Sequence, residues 1–347
     1  MTVRRMVVDL GDRRPVWSVP AWAVEEIRAA VPSGWESVVI DTPADGQGDG
    51  GGPSPEALAA VRGAEVYLGY GMPRALFEAA TAPPEGRLRW AHSGAAGVGG
   101  ALHPAMRDSD VVLTNSAGIH AEPMADTVLA YVLHFARGLD FAVRAQAGRR
   151  WDKGPFDAAD TPLRELEELT LGIVGLGGIG RAVARRAAAL GICVLATRRR
   201  EGEGPPGVEV LRGDGALHRL LERSDVLVVT VPETPGTRGM IGAAELDRLP
   251  PGAVLVNVAR GRVVDEEALV AALRAGRLRG AALDVFAREP LPPGSPLWTL
   301  PNVLVTPHVS GTSHRFWRRE TDLIVDNVRR YLAGAPLLNT VDKHAGY

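Results

Sequence analysis

A short apolar run that leads into a glycine-rich turn constrains the fold of this chain more than any other feature. Residues 171–174 have the composition of a buried strand, residues 175–180 read G-x-G-x-x-G, and a helical stretch follows over 181–190. In this arrangement the first glycine allows a tight turn, the second lets the backbone approach a pyrophosphate, and the third lets helix and strand pack closely. Free N–H groups at the helix N-terminus favour the anion. The sequence therefore predicts a dinucleotide-binding strand–turn–helix unit.

The segment after the next strand bears on which dinucleotide such a unit would bind. In NAD-selective proteins a carboxylate about 20 residues further on binds the ribose 2′-hydroxyl. Here the strand over 193–197 runs into Arg198, Arg199 and Arg200, and this segment contains no carboxylate. Guanidinium groups suit a doubly charged 2′-phosphate, because they donate forked hydrogen bonds. The sequence favours NADP, and the alternative is a solvated turn beside loosely bound NAD.

Two series of strands and helices lie on either side of a polar stretch at 148–160. The predicted strands are 6–10, 37–41, 64–70, 88–92 and 111–115, then 171–174, 193–197, 226–231, 254–258, 281–286 and 303–306. Predicted helices cover 21–30, 56–61 and 123–138, and others begin near Ile179, Ala216, Ala243 and Asp265; a glycine-rich surface loop is expected over 42–53. Alternating strands and helices indicate parallel sheets. The 347 residues therefore predict an α/β chain of two units in tandem with a cleft between them.

Composition and charge exclude several classes of protein. The formal net charge of −2 provides no basic surface for nucleic acid or an anionic membrane, and no apolar stretch approaches the ~20 residues that span a bilayer. The single cysteine, Cys193, excludes an intrachain disulfide and a thiolate metal site, and its apolar neighbours predict that it is buried. The N-terminus resembles a strand and a turn rather than a signal peptide. We expect a cytoplasmic protein with no nucleic-acid, membrane or metal partner.

Three polar side chains follow predicted strands, at the position where open α/β sheets bind ligands. Arg260, Glu289 and His308 each come shortly after one of the last three strands. Reduction of a 2-keto acid needs a carboxylate anchor, a proton donor for the carbonyl oxygen, and a group that holds the donor. Arginine supplies a bidentate fork, histidine carries a proton near neutral pH, and a paired glutamate supports the histidine. Each residue alone is more often structural or solvated, but together they predict this chemistry.

Several motifs resemble the D-isomer-specific 2-hydroxyacid dehydrogenase family, which includes glyoxylate/hydroxypyruvate reductases, phosphoglycerate dehydrogenases and formate dehydrogenases. The resemblance extends from Leu88 onward and rests on residues 114–121, the glycine turn with Arg181, residues 256–261, residues 283–286 with Glu289 and Pro290, and residues 300–303 with 306–308. It implies an NAD(P)-dependent oxidoreductase that interconverts a small 2-keto acid and the D-2-hydroxy acid. Reduction is the expected direction if the cofactor is NADPH.

The resemblance also implies roles for individual residues at the substrate. Arg260 binds the substrate carboxylate and polarises the carbonyl, His308 is the acid/base, and Glu289 orients His308. Backbone amides of Ala96 and Gly97 hold the carboxylate as well.

A larger set of residues is implied to hold the cofactor. They are Gly175, Gly177, Gly178, Ile179, Gly180, Arg181, Arg198, Arg199, Val231, Pro232, Val258, Ala259, Arg260, Asp284, His308 and Gly311. Among these, Asp284 contacts the nicotinamide carboxamide. Arg198 stands in place of the family's usual NAD-selecting aspartate, in agreement with a preference for NADP.

The family's fold implies two Rossmann-like domains. The substrate domain is discontinuous and flavodoxin-like, covers 1–117 and 309–347, and is completed by a helix over 316–332. The dinucleotide-binding domain then covers 118–308. Family members are usually homodimers built around the helix that 123–138 resembles, so a homodimer is expected here.

Departures from the family pattern leave some alternatives open. Gly99 stands where an aspartate is common, which predicts a looser substrate loop, and no lysine lies between Leu88 and Leu102, which argues against a phosphite dehydrogenase. The loop over 70–72 is expected to line the pocket for the substrate side chain. The alternatives are NAD-linked oxidation of a biosynthetic 2-hydroxy acid, and a nucleotide-sensing binding protein similar to the C-terminal-binding corepressors.

Overall fold

A computed structural model describes residues 3–43, 52–199 and 202–346 in two compact units. The first unit combines Met1–Ile119 with Ser313–Tyr347, and the second is His120–Thr312. Arg200 and most of the predicted glycine-rich loop lie outside the described residues. Each unit is built on its own parallel sheet, which confirms the prediction of two α/β domains.

The sheet of the first unit has five parallel strands. They are β1 (Arg4–Asp9), β2 (Trp35–Val39), β3 (Val66–Gly69), β4 (Trp90–Ser93) and β5 (Val112–Asn115), in the order β2-β1-β3-β4-β5. The helices between them are α1 (Ala21–Ala29), α2 (Pro55–Ala60), α3 (Arg74–Thr81) and α4 (Pro104–Arg107). This strand order is the flavodoxin-like one. Because the strands are parallel, the loops after β1, β3 and β4 leave the sheet at one edge.

The second unit contains a seven-stranded parallel sheet. Its strands are β6 (Thr170–Val174), β7 (Cys193–Thr197), β8 (Val208–Leu211), β9 (Val226–Val229), β10 (Ala253–Asn257), β11 (Leu278–Leu283) and β12 (Val303–Val305), in the order β12-β11-β10-β9-β6-β7-β8. Its helices are α5 (Ala121–Ala136), α6 (Leu139–Ala147), α7 (Gly154–Asp157), α8 (Gly178–Ala189), α9 (Ala216–Leu221), α10 (Ala243–Leu246) and α11 (Glu266–Arg274).

Side chains of the central strands alternate between two cores in this second unit. In β9, Val226 and Val228 pack into the core that contains residues of α5 and α8. Leu227 and Val229 pack into the core on the other side, with residues of α9 and α11. A strand that is buried on both faces must be apolar throughout, which is why this one is a continuous apolar run in the sequence.

Capping side chains define the first residues of two helices. The Ser54 hydroxyl accepts a hydrogen bond from the Ala57 N–H at 3.0 Å and caps α2, whose first residue is Pro55. The Asp265 carboxylate accepts hydrogen bonds from the N–H groups of Glu267 and Ala268, both at 3.1 Å, and caps α11. Both helices therefore begin where the capping residue ends the preceding loop.

The last helix, α12 (Phe316–Leu332), belongs to the first unit. Phe316, Ile324 and Val328 share a core with Met6 and Val8 of β1. The chain thus leaves its first sheet, builds the second unit, and returns to complete the first. Among the described residues, no helix combines the length and the apolar character that crossing a bilayer would need.

Some parts of the structure differ from the sequence predictions. The elements β8, α3, α4, α6 and α7 have no predicted counterpart; β8 has four residues, none of them fully buried. The prediction that Cys193 is buried is wrong, because the side chain is exposed. Cys193 is the first residue of β7 and pairs with Thr170, the first residue of β6. It therefore lies at the amino end of the sheet, where a side chain reaches solvent despite apolar neighbours in sequence.

Candidate active site

Arg260, Glu289 and His308 all lie in the second unit, just beyond the carboxyl ends of β10, β11 and β12. These strands are adjacent and parallel, so their ends meet at one edge of the sheet. His308 Nδ1 lies 2.7 Å from Glu289 Oε2. The two side chains are 50% and 36% exposed, so the pair is open to a ligand. The structure therefore joins Glu289 and His308 directly.

Opposing effects act on the Glu289 carboxyl. Partial burial raises its pKa, but the hydrogen bonds from His308 and from the Phe286 N–H, together with the charges of His308 and Arg260, lower it by more. The net effect is a pKa below the usual value for glutamate. An ionised Glu289 accepts a hydrogen bond from the N–H of His308 Nδ1 and leaves Nε2 for a ligand.

The backbone of His308 adopts a left-handed conformation with φ of 54°. This conformation is uncommon in residues other than glycine, and such strain costs roughly 1–3 kcal/mol. The His308 N–H donates to the backbone oxygens of Asp284 at 2.9 Å and Thr306 at 3.1 Å. These hydrogen bonds hold the imidazole beside Glu289.

Asp284 organises the loop that carries His308. Its side chain is fully buried, and Oδ1 accepts hydrogen bonds from Thr306 Oγ1 at 2.6 Å and the Val309 N–H at 2.9 Å. Oδ2 accepts one from the Ser310 N–H at 2.9 Å. The expected contact with a nicotinamide carboxamide remains a prediction, whereas these three bonds make Asp284 a positioning residue for His308.

Tyr131 on α5 extends this network and has no counterpart in the sequence prediction. Its hydroxyl is hydrogen-bonded to the Thr306 hydroxyl. Burial raises the pKa of Tyr131 to about 12, although the hydrogen bond with Thr306 opposes that effect. Tyr131 therefore remains a neutral hydroxyl that supports the loop before His308. Thr306 is 175 residues from Tyr131 in sequence, and no local pattern signals such a pair.

Arg260 lies in a turn that buried neighbours hold in place. Asn257 Oδ1 accepts a hydrogen bond from the Ala259 N–H at 3.0 Å, and Asn257 Nδ2 donates to the Arg260 oxygen at 3.1 Å. A Cβ on Gly261 would lie 1.9 Å from the carbonyl carbon of Phe286, so only glycine fits there. Within the described part of the chain, the Arg260 guanidinium donates to the Ala259 oxygen and forms no ion pair. Its charge is thus available for an anionic ligand.

The three glycines of the G-x-G-x-x-G turn differ in their surroundings. Gly175 has φ of 102°, and a Cβ on it would lie 2.6 Å from Val231 Cγ1. A Cβ on Gly180 would lie 2.2 Å from the Gly175 oxygen, so the helix and the strand pack too closely for a side chain. A Cβ on Gly177, the N-cap of α8, would meet nothing within 4 Å. The turn is therefore closed on its protein side and open at Gly177, where a ligand would approach.

Arginines cluster beside the end of β7. Arg181 Nη1 donates to the Glu203 oxygen at 2.8 Å, and Arg198 Nη1 lies 3.5 Å from the same oxygen. Arg212, which the sequence analysis does not single out, donates to the neighbouring Gly202 oxygen. Three guanidinium groups thus converge on one segment, while Arg199 is exposed. A local concentration of positive charge of this kind suits a phosphate.

The other predicted cofactor residues also follow strands of the second sheet. Val231 and Pro232 follow β9, and Val258 and Ala259 follow β10. Gly311 follows β12, and its oxygen lies 3.3 Å from His120 Nδ1. Where the chain is described, no group of three or more histidine, cysteine, aspartate or glutamate side chains is arranged to hold a metal ion.

Ala96 and Gly97 belong to the first unit, in the loop that follows β4. Asn115 Nδ2 donates to the Ala96 oxygen at 2.9 Å, and the Ser116 N–H donates to the Ala95 oxygen at 3.3 Å. The loop is therefore held through its carbonyl groups by the end of β5.

Comparison with known proteins covers both units. A family model described as D-isomer specific 2-hydroxyacid dehydrogenase, NAD binding domain, matches residues 129–310. A glyoxylate reductase from Korarchaeum cryptofilum (strain OPF8) is 38% identical over 240 residues, which are 67% of this chain and 70% of that protein. A glyoxylate/hydroxypyruvate reductase B from Yersinia enterocolitica serotype O:8 is 36% identical over 292 residues, which are 83% of this chain and 87% of that protein.

Solved structures are similar along the full chain. A D-isomer specific 2-hydroxyacid dehydrogenase from Xanthobacter autotrophicus Py2, in complex with NADPH and MES, is 33% identical with a TM-score of 0.79 and covers 100% of both chains. An NADPH-dependent glyoxylate/hydroxypyruvate reductase from Sinorhizobium meliloti, in complex with NADP and sulfate, is 30% identical with a TM-score of 0.78. It covers 99% of this chain and 100% of that one. The resemblance seen in the sequence is thus confirmed.

Proposed function

Because the chain belongs to the D-isomer specific 2-hydroxyacid dehydrogenase family, we propose that it reduces a small 2-keto acid, of the glyoxylate or hydroxypyruvate class, to the D-2-hydroxy acid with NADPH. The relatives named as glyoxylate and hydroxypyruvate reductases support this substrate class. The observation that carries the proposal is the 2.7 Å contact between His308 and Glu289 at an exposed sheet edge.

The second unit fits a nicotinamide dinucleotide. The crowded positions at Gly175 and Gly180 and the open position at Gly177 form a cradle that side chains would fill. The N-terminus of α8 would bind the pyrophosphate, and Arg198 with Arg181 would bind a 2′-phosphate. The bound cofactor supplies the hydride that reduces the carbonyl carbon. Similar proteins solved with NADPH or NADP support NADP over NAD.

The chain's own side chains meet the remaining needs of the reaction. Arg260 binds the substrate carboxylate through a forked pair of hydrogen bonds, and the amides of Ala96 and Gly97 add donors. Negative charge develops on the carbonyl oxygen during reduction, and His308 donates its Nε2 proton there. Glu289 holds the Nδ1 proton, so the imidazole keeps its orientation when it becomes neutral. The D configuration follows the family.

Domain roles, assembly and compartment complete the proposal. We assign the substrate domain to residues 1–117 and 309–347 and the dinucleotide domain to 118–308. A homodimer is supported by large apolar side chains exposed on α6 and after it, Leu139, Val143 and Trp151, the last 93% exposed. Light scattering at micromolar concentration should give twice the chain mass, and a monomer mass would refute the dimer.

The free, exposed Cys193 fits a reducing cytoplasm.

Initial rates of NADPH and NADH oxidation test the reaction. Glyoxylate, hydroxypyruvate, pyruvate and phenylpyruvate serve as substrates, with His308→Ala as the control. Turnover of at least one keto acid that disappears in the control is expected. Tight nucleotide binding without turnover of any of them would instead favour a nucleotide-sensing binding protein.

Arg198→Ala tests the choice of cofactor. Loss of one charged donor to a phosphate is expected to lower the ratio of kcat/KM for NADPH to that for NADH about 10- to 100-fold, from ~1–3 kcal/mol of charge-assisted hydrogen bonding. Arg248→Ala is the matched control, because Arg248 lies in the same unit and pairs with Glu222. An unchanged ratio in Arg198→Ala would contradict the role of Arg198.

A further inference from the structure

A cavity in the first unit adjoins the loop proposed to bind the substrate carboxylate. Gly97 and Val98 of that loop form one wall, and Asp9, Tyr67 and Met72 form others. The cavity lies where β1, β3 and β4 end. It also includes the loop over 70–72, which the sequence analysis expects to line the pocket for the substrate side chain. A substrate held at Gly97 would therefore extend toward these walls.

Asp9 is a buried carboxylate in the wall of this cavity. The residue is 6% exposed, and its Oδ2 accepts a hydrogen bond from the Tyr67 hydroxyl at 2.7 Å. Oδ1 accepts no hydrogen bond from the described residues. Oδ1 retains some accessible surface, in a residue that lines the cavity. A hydrogen-bond donor on a ligand would fill that position.

The fold makes specific room for the contact between Asp9 and Tyr67. Gly69 on β3 is the register partner of Asp9 on β1. A Cβ on Gly69 would lie 2.3 Å from the Tyr67 hydroxyl oxygen, so a side chain there would displace the phenol. Met72 and Leu76 contribute apolar surface to the same cavity. The site is thus one polar pair within a partly apolar pocket.

The other carboxylate that lines the cavity is already paired. Arg14 donates to Asp12 through its backbone N–H at 2.7 Å, through Nε at 2.9 Å and through Nη2 at 2.7 Å. No cationic side chain of the described residues pairs with Asp9 in this way. Burial raises the pKa of Asp9, and the hydrogen bond from Tyr67 opposes this. The negative charges favour a donor or a cation and disfavour a second anion.

We propose that Asp9 and Tyr67 select 2-keto acids that carry a hydrogen-bond donor, a hydroxyl or a cationic nitrogen, at the end remote from the carboxylate, and reject those that end in a second carboxylate. This inference rests on the proposed function, because it takes the substrate carboxylate to bind at Ala96 and Gly97. It adds a substrate class and two specificity-determining residues to that function.

Matched substrate pairs test the inference through kcat/KM with NADPH. The pairs are hydroxypyruvate with pyruvate, 4-hydroxy-2-ketobutyrate with 2-ketobutyrate, and 5-guanidino-2-ketovalerate with 2-ketohexanoate. In at least one pair, the wild-type protein is expected to have a kcat/KM ~10-fold or more higher for the substrate that carries the donor. A preference in a hydroxyl pair indicates recognition of a hydroxyl, and a preference in the guanidino pair indicates recognition of a cation. It should turn over 2-ketoglutarate more slowly than 2-ketovalerate.

Substitutions of Asp9 and Tyr67 test whether these two residues cause the preference for substrates with a remote donor. Asp9→Asn and Tyr67→Phe should each reduce the preference several-fold, and turnover of glyoxylate, which has no remote group, reports whether each variant is still active. Asp108→Asn, at an exposed carboxylate of the same unit, should leave the preference unchanged. A preference that survives in both variants while glyoxylate is still turned over would overturn the inference.

Glyoxylate also separates this inference from the proposed function. If the wild-type protein reduces no 2-keto acid, including glyoxylate, the proposed function fails. If it reduces glyoxylate but shows no preference in any matched pair, the proposed function stands and the inference about Asp9 and Tyr67 is overturned. The wild-type pairs decide the question even if a variant does not fold.

Discussion

The closest histidine–glutamate pair described in each unit places the same side chains in opposite surroundings. In the second unit, His308 and Glu289 approach to 2.7 Å and are both partly exposed. In the first unit, His92 on β4 and Glu320 on α12 approach to 3.0 Å, and neither side chain has any exposed surface. Residue type alone therefore does not distinguish a pair that acts on a ligand from one that supports the fold.

The buried pair belongs to a hydrogen-bond network within the first unit, in which Glu320 Oε2 is buried and has no partner among the described residues. His92 Nδ1 lies 2.9 Å from Thr114 Oγ1, so both ring nitrogens have partners within the unit. Glu320 Oε1 also accepts a hydrogen bond from Ser116 Oγ at 2.9 Å. The network joins α12 to β4 and to the end of β5 across 228 residues of sequence. It holds the returning helix in place.

The exposed pair differs in having one unused nitrogen. His308 Nδ1 is engaged by Glu289, whereas Nε2 has no hydrogen-bond partner among the described residues. A proton on that nitrogen is available to a ligand. Accessibility and an open ring nitrogen, rather than the histidine–glutamate pairing, therefore distinguish the proposed catalytic pair from the buried one.

The largest expected effect comes from His308→Ala. Loss of the proton donor should lower kcat/KM for keto-acid reduction ~10²–10⁴-fold, while the free energy of unfolding changes by less than about 1 kcal/mol because the side chain is half-exposed. Steady-state rates and urea unfolding measure the two quantities. Nucleotide affinity, followed by fluorescence, should remain close to that of the wild type. Full activity in this variant would contradict the proposal that the pair His308–Glu289, unlike the pair His92–Glu320, takes part in the reaction.

Glu320→Ala, unlike His308→Ala, should act mainly on the stability of the fold. Removal of one partner from a buried pair leaves the other unsatisfied and should lower the free energy of unfolding by ~3–5 kcal/mol, as measured by urea unfolding. Asp322→Ala, on the same helix but exposed and paired with Arg318, should cost less than about 1 kcal/mol. Equal effects of the two substitutions would show that the buried network does not anchor α12.

The smallest expected effect is the change in the free energy of unfolding caused by Glu289→Gln, and this change depends on pH. The pKa of Glu289 is lower in the folded chain than in the unfolded one, so its ionised form stabilises the folded state above the unfolded pKa. This stabilisation disappears as the pH falls through the folded pKa. Since the side chain is 36% exposed, screening should keep the contribution below about 1 kcal/mol.

Unfolding of the wild type and of Glu289→Gln between about pH 7 and pH 3 measures this contribution. The difference in unfolding free energy should be present at neutral pH and should vanish toward the acid end. A difference that grows as the pH falls would contradict the lowered pKa of Glu289.

Local features of the sequence predict much of the fold and the positions of the proposed site residues along the chain. The apolar run of β9 and the caps at Ser54 and Asp265 act through neighbouring residues, so a short window contains the information. The short strand β8 lacks such a signal, because its residues are partly exposed and the run is brief. For Cys193 the local sequence predicted burial wrongly, because apolar neighbours do not reveal that a residue lies at the end of a sheet.

Three features follow from the amino-acid sequence alone: the alternation of strands and helices, the glycine turn, and the order of Arg260, Glu289 and His308 after three strands. These features depend on backbone conformation and on contacts between near neighbours. Two other features depend on the assembled fold: His92 is enclosed while His308 is open, and Tyr67 reaches Asp9 over Gly69. Burial and hydrogen bonding of a polar side chain depend on residues tens to hundreds of positions away, which meet only when the sheets assemble.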